Sequence, residues 1–303
     1  PAVRHDWPDW LDTALRAQLG EAETEALAQA LAQPAPLDVR INPLKIGRDA
    51  ALARLTESGI EARAGRYSPL ALRLAGKPAL SGHPLFVEGS IEVQDEGSQL
   101  LALLLAPRRG EMVVDFCAGA GGKTLLLGAL MHNSGRLYAF DISDKRLAKL
   151  KPRLARSGLS NVHPVRIEHE RDTRVKRLAG KIDRVLVDAP CSGLGTLRRA
   201  PDLKWRQDEA VIAGFQAKQS AILGAASGLV KKGGRLVYAT CSLLAAENDD
   251  VVDAFLATHP HFALVPAEEV LARQGIILPG ERLRLWPHHH QTDGFFAAVL
   301  EHV

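Results

Sequence analysis

Cysteine is scarce in this chain, and its placement argues against a disulfide framework and against a structural zinc site. Only Cys117, Cys191 and Cys241 occur among 303 residues, and no C-x-x-C spacing is present. The three cannot all pair with one another, so neither a disulfide framework nor a structural zinc site is expected. A chain with so few, unpaired thiols fits a reducing cytoplasm, and we expect a cytoplasmic protein.

Long hydrophobic runs and a strong charge of one sign are also missing. The longest apolar stretches, 100–107 and 125–131, fall well short of the ~18 residues that a membrane span needs. No basic segment followed by an apolar one indicates a secretory signal, so we expect no membrane association. The formal net charge of +3 by itself points to no class of partner. Because the chain begins at Pro1 rather than at methionine, we expect it to be a piece of a longer protein.

The composition that is present is that of an ordinary globular protein with local basic runs. Hydrophobic residues make up 46% and charged residues 24% of the chain, which is ordinary for a globular protein that can bury a full core. The length of 303 residues suggests two domains, or one large domain with an appendage. Lys145–Arg156 carries six basic residues and no acid, and Arg171–Arg206 carries ten against four acids. Each run alone is typical of a solvated helix face, whereas two runs beside one cleft favour a polyanionic partner.

Periodicity divides the chain into three predicted parts. Residues 1–36 form a helical segment in which Trp7 and Trp10 begin an apolar stripe at helical spacing, which favours core packing over stacking on bases. Residues 37–85 alternate apolar and polar side chains and predict a small basic β-α-β-β unit. Such a unit either handles nucleic acid or is a structural lid. Residues 86–303 form the large domain.

Strand-like and helix-like segments alternate through the large domain, which predicts a doubly wound α/β fold. Gln94–Ser98 supplies the polar start of a first helix, and 294–300 predicts a buried last strand. The other predicted strands are 112–116, 136–140, 162–167, 182–187, 235–240 and 262–266, and the other predicted helices are 123–132, 143–157, 207–230 and 247–258.

Two of these strands end alike, with a cysteine in the loop that follows. One apolar strand leads through Asp188 and Pro190 to Cys191, and another leads to Cys241. Ligands bind beyond the carboxyl ends of parallel strands, and neighbouring strands lie about 4.8 Å apart. We therefore expect both thiols to face one cleft that uses sulfur as a nucleophile.

A glycine-rich loop at 117–124 follows the first strand of the large domain, where backbone amides at a helix start can approach a ligand. A nucleotide P-loop would need glycine at Cys117, and a dinucleotide fingerprint would need glycine at Thr124. The third interpretation is S-adenosylmethionine, with Asp141 after the second strand placed for the ribose hydroxyls. An acid there serves NAD equally well, so Asp141 does not separate the two cofactors.

Six motifs follow one another along the chain: CAGAGGKT at 117–124, DAPCSG at 188–193, RRAPDLKWR at 198–206, YATCS at 238–242, EN at 247–248 and TDGFF at 292–296. Their order and spacing resemble the RNA (cytosine-5)-methyltransferases, the family of bacterial 16S ribosomal RNA methylases and eukaryotic Nop/Sun proteins. The segment 37–82 resembles the family's small RNA-binding subdomain. Ala120, Ala200 and Ala246 depart from the residues common in the family but leave both motif cysteines in place.

The resemblance implies a Rossmann-like class I methyltransferase domain, a seven-stranded mostly parallel sheet with a terminal antiparallel strand, preceded by a small α+β subdomain. It implies methyl transfer from S-adenosylmethionine to C5 of a cytosine. Ribosomal RNA is the expected substrate, and transfer RNA is the alternative. Cys241 would add to C6, Cys191 would assist release, and Asp188 would hydrogen-bond N3. We expect a monomer without a metal.

The resemblance also implies which residues contact the cofactor and the RNA. Among acids after the third strand, Asp172 stands at the family position, with Glu168 and Glu170 as competitors. The implied cofactor residues are Cys117, Ala118, Gly119, Ala120, Gly121, Gly122, Lys123, Asp141, Asp172 and Asp188. The implied RNA-phosphate contacts are Arg198, Arg199, Lys204 and Arg206. At 288–290, three histidines predict a solvated loop, because no carboxylate or cysteine lies nearby at ligand spacing.

Three rival functions make different predictions. A DNA cytosine methylase would use Cys191 as the nucleophile and place Glu-Asn-Val after it, whereas Glu247-Asn248 follows Cys241. A non-catalytic ribosome-assembly factor that binds RNA would have no need of both cysteines and Asp188. An NAD-dependent dehydrogenase is disfavoured by Thr124 and by the lack of a proton relay.

Overall fold

The computed structural model describes residues 5–303, so the first four residues of the predicted helical segment lie outside the described residues. Two helices, α1 (Asp9–Leu19) and α2 (Glu21–Leu31), meet at Gly20, whose positive φ reverses the chain. Trp7 is buried with their apolar faces, as the helical stripe predicts. The same cluster includes the apolar side chains that follow the two motif cysteines, namely Leu194, Leu197, Leu243 and Leu244.

The small subdomain is a four-stranded antiparallel sheet in the order β2-β3-β1-β4. Its fourth strand lies beyond residue 85, where the sequence predicts the subdomain to end. Three residues of alternation are too few to register as a strand, and only pairing with β1 defines it. The β-α-β-β prediction thereby becomes a β-α-β-β-α-β, ferredoxin-like unit. Its elements are β1 (Leu37–Ile41), α3 (Arg48–Glu57), β2 (Ala62–Ala64), β3 (Ala71–Leu74), α4 (Pro84–Val87) and β4 (Ile91–Val93).

The large domain is built on a second sheet in the order β10-β12-β9-β8-β5-β6-β7, with β11 also paired to β12. Strands β5 to β9 are parallel, and β12 runs against β9, β10 and β11. The Rossmann-like prediction with an antiparallel last strand is confirmed. The elements are α5 (Glu96–Leu105), β5 (Met112–Asp115), α6 (Gly122–Leu130), β6 (Arg136–Asp141), α7 (Asp144–Ser157), β7 (Val162–Arg166), α8 (Thr173–Lys176), β8 (Ile182–Asp188), α9 (Glu209–Ser227), β9 (Val230–Thr240), α10 (Asp249–Thr258), β10 (Phe262–Val265), α11 (Ala267–Ala272), β11 (Leu283–Leu285), α12 (Pro287–His290) and β12 (Phe295–His302).

Both faces of this sheet are covered, which explains why its central strands are continuously apolar. On β8, Leu186 joins the cluster beneath α5, whereas Val185 and Val187 join the cluster on the opposite face. On β9, Val237 belongs to the cluster beneath α5 and Tyr238 to the cluster on the opposite face. The polar residues Asp188 and Thr240 lie at the carboxyl ends of these two strands, where the site is located. Among residues 5–303, no helix combines the length and apolar character needed to cross a bilayer.

Candidate active site

The two motif cysteines meet at the carboxyl ends of β8 and β9. These strands pair in parallel with Asp188 opposite Ala239, and the loops that follow bring Cys191 Sγ to 3.2 Å from Cys241 Sγ. Both side chains are partly exposed. The predicted juxtaposition of the two thiols is therefore present, and the loops close the sulfurs to a shorter distance than the strand spacing alone would give.

The environment of this pair keeps a proton on one sulfur. The hydrogen bond with Cys241 and burial together raise the pKa of Cys191 well above its ordinary value. Cys191 is therefore a thiol at neutral pH, and it lies in hydrogen-bond contact with the sulfur of Cys241. Burial and the nearby carboxylates likewise raise the pKa of Cys117, which packs against the core of the large sheet.

A partly buried ion pair lies beside the thiols. Lys123 Nζ donates to Asp188 Oδ2 at 2.7 Å. Burial opposes the charge on Lys123, but the carboxylate of Asp188 outweighs it and raises the pKa of the lysine. The last residue of β8 and the start of α6 thus place a fixed cation at the edge of the thiol cleft.

A cavity of about 660 Å³ opens next to the ion pair, along the carboxyl ends of β5, β6 and β7. Most of the predicted cofactor residues line it, namely Cys117, Ala118, Gly119, Ala120, Gly122, Lys123, Asp141 and Asp188. Gly121 does not, because its positive φ turns the chain into α6 and its α-carbon faces Leu150 of α7. Pro190 also lines the cavity, so it adjoins the Cys191 loop.

Asp141 braces the glycine-rich loop from the end of β6. Its two carboxylate oxygens accept hydrogen bonds from the backbone N–H groups of Gly119 at 2.9 Å and Ser143 at 2.8 Å. The carboxylate is buried and still lines the cavity. The acid that the sequence singled out therefore holds the loop in place and borders the cavity.

The acids after β7 that line the cavity are Glu168 and Glu170 rather than Asp172. The carboxylate of Asp172 accepts from the N–H groups of Glu168 and Arg174 and caps α8. These hydrogen bonds lower its pKa and turn it away from the cavity, which Glu168, His169 and Glu170 line instead. Asp172 is thus placed as a brace for the loop, because capping uses its oxygens.

Asp115, at the end of β5, is a site residue that the motif reasoning passed over. One oxygen accepts from the hydroxyl of Thr124 at 2.7 Å, and the other is buried without a partner among the described residues. Burial raises the pKa of Asp115 to about 7. An acid that ends the first strand of the sheet was the available signal, since Asp141 and Asp188 end their strands in the same way.

Comparison with known proteins places this geometry in a family. Residues 102–301 match the family described as 16S rRNA methyltransferase RsmB/F. Residues 7–81 match the ferredoxin-like domain described for RsmF/B-like methyltransferases. The chain belongs to the RsmB/F methyltransferase family.

Relatives of known name and structure agree with this assignment. The chain is 41% identical to a "Probable ribosomal RNA small subunit methyltransferase B" of Synechocystis, over 98% of this chain and 67% of the relative. It is 35% identical to the crystal structure of PH0851, with a TM-score of 0.91 over 99% of this chain and 67% of that one. A methyltransferase homolog from Pyrococcus horikoshii is 28% identical, with a TM-score of 0.85 over 100% and 97% of the two chains. The chain spans about two thirds of the length of the curated relatives that it matches.

The basic motif at 198–206 lies differently in this RsmB/F chain than its sequence predicts. The side chain of Arg198 is only 6% exposed and is paired with Asp293 at 2.8 Å, and Arg199 pairs with Asp293 and Asp95. Their charges are neutralised within the protein, which disfavours the phosphate contacts that the resemblance implies for them. In the same motif, Lys204 is largely buried beside Asp6, whereas Arg206 is 71% exposed.

The histidines of this RsmB/F chain were expected in a solvated loop, and the structure corrects that expectation. They belong to the short helix α12, and the Nε2 atoms of His288 and His289 lie 2.9 and 2.6 Å from one oxygen of Glu23 on α2. The carboxylate is distant in sequence, so only the fold brings it to the histidines. These three ligand atoms lie close together, but direct contact between the carboxylate and both rings accounts for the arrangement.

Proposed function

We propose that the chain transfers a methyl group from S-adenosylmethionine to C5 of a cytosine in small-subunit ribosomal RNA, through a transient bond between Cys241 and C6. The observation that carries the proposal is the pair of thiols 3.2 Å apart beside the Lys123–Asp188 ion pair at one end of a 660 Å³ cavity. A nucleophile, a proton carrier and a charged pair stand together there.

The residues of the cavity fit a cationic, nucleoside-containing cofactor. Asp115, Asp141 and Asp188 all line it, and one buried oxygen of Asp115 has no partner among the described residues. Carboxylates at this density favour the sulfonium and ammonium groups of S-adenosylmethionine. Asp141 and Glu168 would hold the adenosine end, and the glycine-rich loop would contact the amino-acid end. When bound, the cofactor would supply an electrophilic methyl group.

The two cysteines divide the chemistry between them. The Cys241 thiolate adds to C6 of the cytosine, which makes C5 electron-rich enough to take the methyl group. Cys191, a thiol at neutral pH, relays a proton when C5 loses its hydrogen and the C6–S bond breaks, which restores the aromatic ring. The carboxylate of Asp188, ion-paired with Lys123, accepts a hydrogen bond from N3 of a cytosine that is protonated at this nitrogen, so that the N3 proton neutralises the negative charge brought by the thiolate. The base must leave any helical stack to reach the sulfur.

Two variants test the proposal on an unmodified 16S rRNA transcript with radiolabelled cofactor. Cys241→Ala should abolish methyl transfer while its cofactor affinity, measured by calorimetry, stays within about twofold of wild type, because the cysteine lies outside the cavity lining. Cys191→Ala should accumulate a protein–RNA adduct that survives a denaturing gel, because release is blocked.

Bisulfite sequencing of the product identifies the methylated carbon. Adducts that accumulate in Cys241→Ala instead of Cys191→Ala would exchange the two roles. Methylation at a site other than cytosine C5 would overturn the proposed reaction. A wild-type protein that binds the transcript but transfers no methyl group would favour the assembly-factor alternative.

A further inference from the structure

Glu247 is a fully buried carboxylate outside the cofactor cavity. Among the described residues, no lysine, arginine or histidine forms an ion pair with it. Its oxygens instead accept four hydrogen bonds, from the N–H of Ser192 at 2.8 Å, the hydroxyls of Ser192 and Ser242, and the side-chain amide of Gln219 at 3.0 Å. Burying a charge without a cation is costly, so a full set of donors is needed to offset it.

The donors come from the segments that carry the two thiols. Ser192 directly follows Cys191, and Ser242 directly follows Cys241. Gln219 of α9 adds a third connection, because its amide also donates to the carbonyl of Pro190 at 3.0 Å. One carboxylate therefore joins the loop after β8 to the loop after β9.

The backbone around Glu247 is held to the second of these loops as well. The hydroxyl of Tyr238 donates to the carbonyl of Glu247 at 2.6 Å. The side chain of the next residue, Asn248, accepts from Thr240 and donates to the carbonyl of Ser242 at 3.0 Å. Glu247 is thus anchored to the Cys241 strand and loop on one side and reaches across to the Cys191 loop on the other.

We propose that Glu247 is a positioning residue that sets the distance and orientation of the Cys191 and Cys241 sulfurs. The inference rests on the proposed function for its catalytic consequence, whereas the thiol geometry can be measured without it. Without the carboxylate, the buried N–H of Ser192 and two buried hydroxyls lose their acceptor, and the loops must move to find others. A displacement of about 1 Å at a reacting group can cost on the order of 100-fold in rate.

Glu247→Ala and Glu247→Gln are compared with Glu96→Ala as a matched control. Glu96 is also a buried carboxylate that accepts from backbone N–H groups, those of Tyr67 and Ser68, but it lies at the junction with the small sheet. The amide in Glu247→Gln still accepts from the Ser192 N–H, and the two hydroxyls can rotate to accept from its NH₂. The conservative variant should therefore restore most of what alanine loses.

The first readout is the rate of disulfide formation between Cys191 and Cys241 in diamide, with Cys117→Ser present in every protein. The N=N bond of diamide takes up two electrons and two protons from the thiols and becomes a hydrazine, while the S–S bond forms. We expect the rate to fall about tenfold or more in Glu247→Ala. It should recover in Glu247→Gln and stay at the reference rate in Glu96→Ala.

The second readout is methyl transfer to the 16S rRNA transcript, measured with Cys117 retained because it lines the cofactor cavity. Glu247→Ala should lower kcat on the order of 100-fold while the cofactor KM changes less than about threefold. Equal cross-linking rates and equal kcat in Glu247→Ala and the reference protein would overturn the inference, as would equal losses in Glu247→Ala and Glu96→Ala. If Glu247→Ala does not fold, Ser242→Ala carries the comparison, because it removes one hydroxyl that donates to the carboxylate, and both rates should then fall below the reference. Slow cross-linking in a protein whose parent transfers no methyl group would refute the proposed function and leave the positioning role standing.

Discussion

At the scale of single residues, Asp115 shows how burial can set the chemistry of one side chain. Its carboxylate is fully enclosed at the end of β5, with Thr124 as the partner of one oxygen and none among the described residues for the other. Burial raises its pKa to about 7, and the charge of Asp188 acts in the same direction. The folded protein therefore holds a proton on Asp115 at a pH where the unfolded chain, with a pKa of about 3.9, has lost it.

This difference predicts a stability that falls as pH rises. Between about pH 4 and pH 7 the folded state binds more protons than the unfolded state, so the cofactor-free protein should lose up to roughly 4 kcal/mol of unfolding free energy. Asp115→Asn keeps an oxygen for Thr124 and removes the titration. Urea unfolding at pH 5 and pH 8 should show a smaller loss in the variant than in wild type. Equal losses in both proteins would refute the assignment.

At the scale of elements, three loops meet where two glycines lie against each other. The N–H of Gly195 donates to the carbonyl of Cys241 at 2.8 Å, and the N–H of Gly294 donates to the carbonyl of Gly195 at 2.8 Å. A Cβ on Gly195 would lie 2.1 Å from the Gly294 oxygen and 2.8 Å from the Cys241 oxygen. The second glycine of the DAPCSGLG stretch is therefore required by close backbone approach.

Gly195→Ala should displace the Cys241 loop. We expect a loss of about 1–3 kcal/mol in unfolding free energy from overpacking and a fall of about 100-fold in kcat from misplacement of the thiol. Gly214→Ala is the control, because Gly214 lies in α9 with nothing near its added Cβ, and alanine favours a helix by about 1 kcal/mol. Full activity in Gly195→Ala would show that the contact has no part in placing Cys241.

The first two arginines of the motif after β8 connect separate elements of the fold. Arg198 and Arg199 join the loop to Asp293 before β12 and to Asp95 before α5. Truncating one member of such a buried network leaves unpaired charges, which typically costs about 3–5 kcal/mol.

Arg198→Ala should therefore lower the free energy of unfolding by about that amount and leave the salt dependence of RNA affinity unchanged. Arg206→Ala should instead change the salt dependence of RNA affinity and leave the free energy of unfolding nearly unchanged. Because Arg206 is exposed, its removal should alter stability by less than about 0.5 kcal/mol and reduce the salt slope by about one phosphate contact. Filter binding at several salt concentrations, with urea unfolding in parallel, separates the two effects. Similar behaviour of both variants would contradict this division.

At the scale of the whole molecule, the small sheet is hydrogen-bonded to the glycine-rich loop of the large domain. Arg40 of β1 is buried and donates to the carbonyl of Gly122 at 2.9 Å. From α7, Arg153 donates to the carbonyl of Ala120 at 2.6 Å and to Glu92 of β4 at 3.1 Å. Burial lowers the pKa of Arg40 to about 10, so it remains charged at neutral pH. The glycine-rich loop is thus held both by Arg40 of the small subdomain and by Arg153 of its own domain.

Arg40→Ala should weaken cofactor binding about tenfold, because the Gly122 carbonyl loses its donor and the loop is no longer held in one arrangement. Arg63→Ala, on an exposed position of β2, provides a control that removes the same type of charge from the same sheet. Calorimetric titration with S-adenosylmethionine measures both. Unchanged affinity in Arg40→Ala would show that the large domain forms the loop without help.

The sequence by itself determined the order of the large domain and the place of its chemistry. Apolar runs that end in Asp188 or Thr240 can only be strands buried on both faces, and their carboxyl ends must then share an edge with the glycine-rich loop. The meeting of Cys191 and Cys241 followed from this local pattern. Short elements such as β4 and α12 did not, because three or four residues carry too little periodicity and only their pairing or packing defines them.

Tertiary structure alone decided which polar side chains are free to act. Arg198 and Arg206 are the same residue type eight positions apart in one motif, but Asp293, distant in sequence, holds the first in a buried ion pair, whereas the second stays exposed beside Asp202 of its own motif. The sequence favoured Asp172 over its competitors Glu168 and Glu170, but capping of α8 uses the oxygens of Asp172. The environment of Glu247 was equally hidden, since its donors lie on three separated segments. A buried polar side chain forms ion pairs or hydrogen bonds with whichever groups the fold brings near. These partners are distant in sequence, so the neighbouring residues do not predict them.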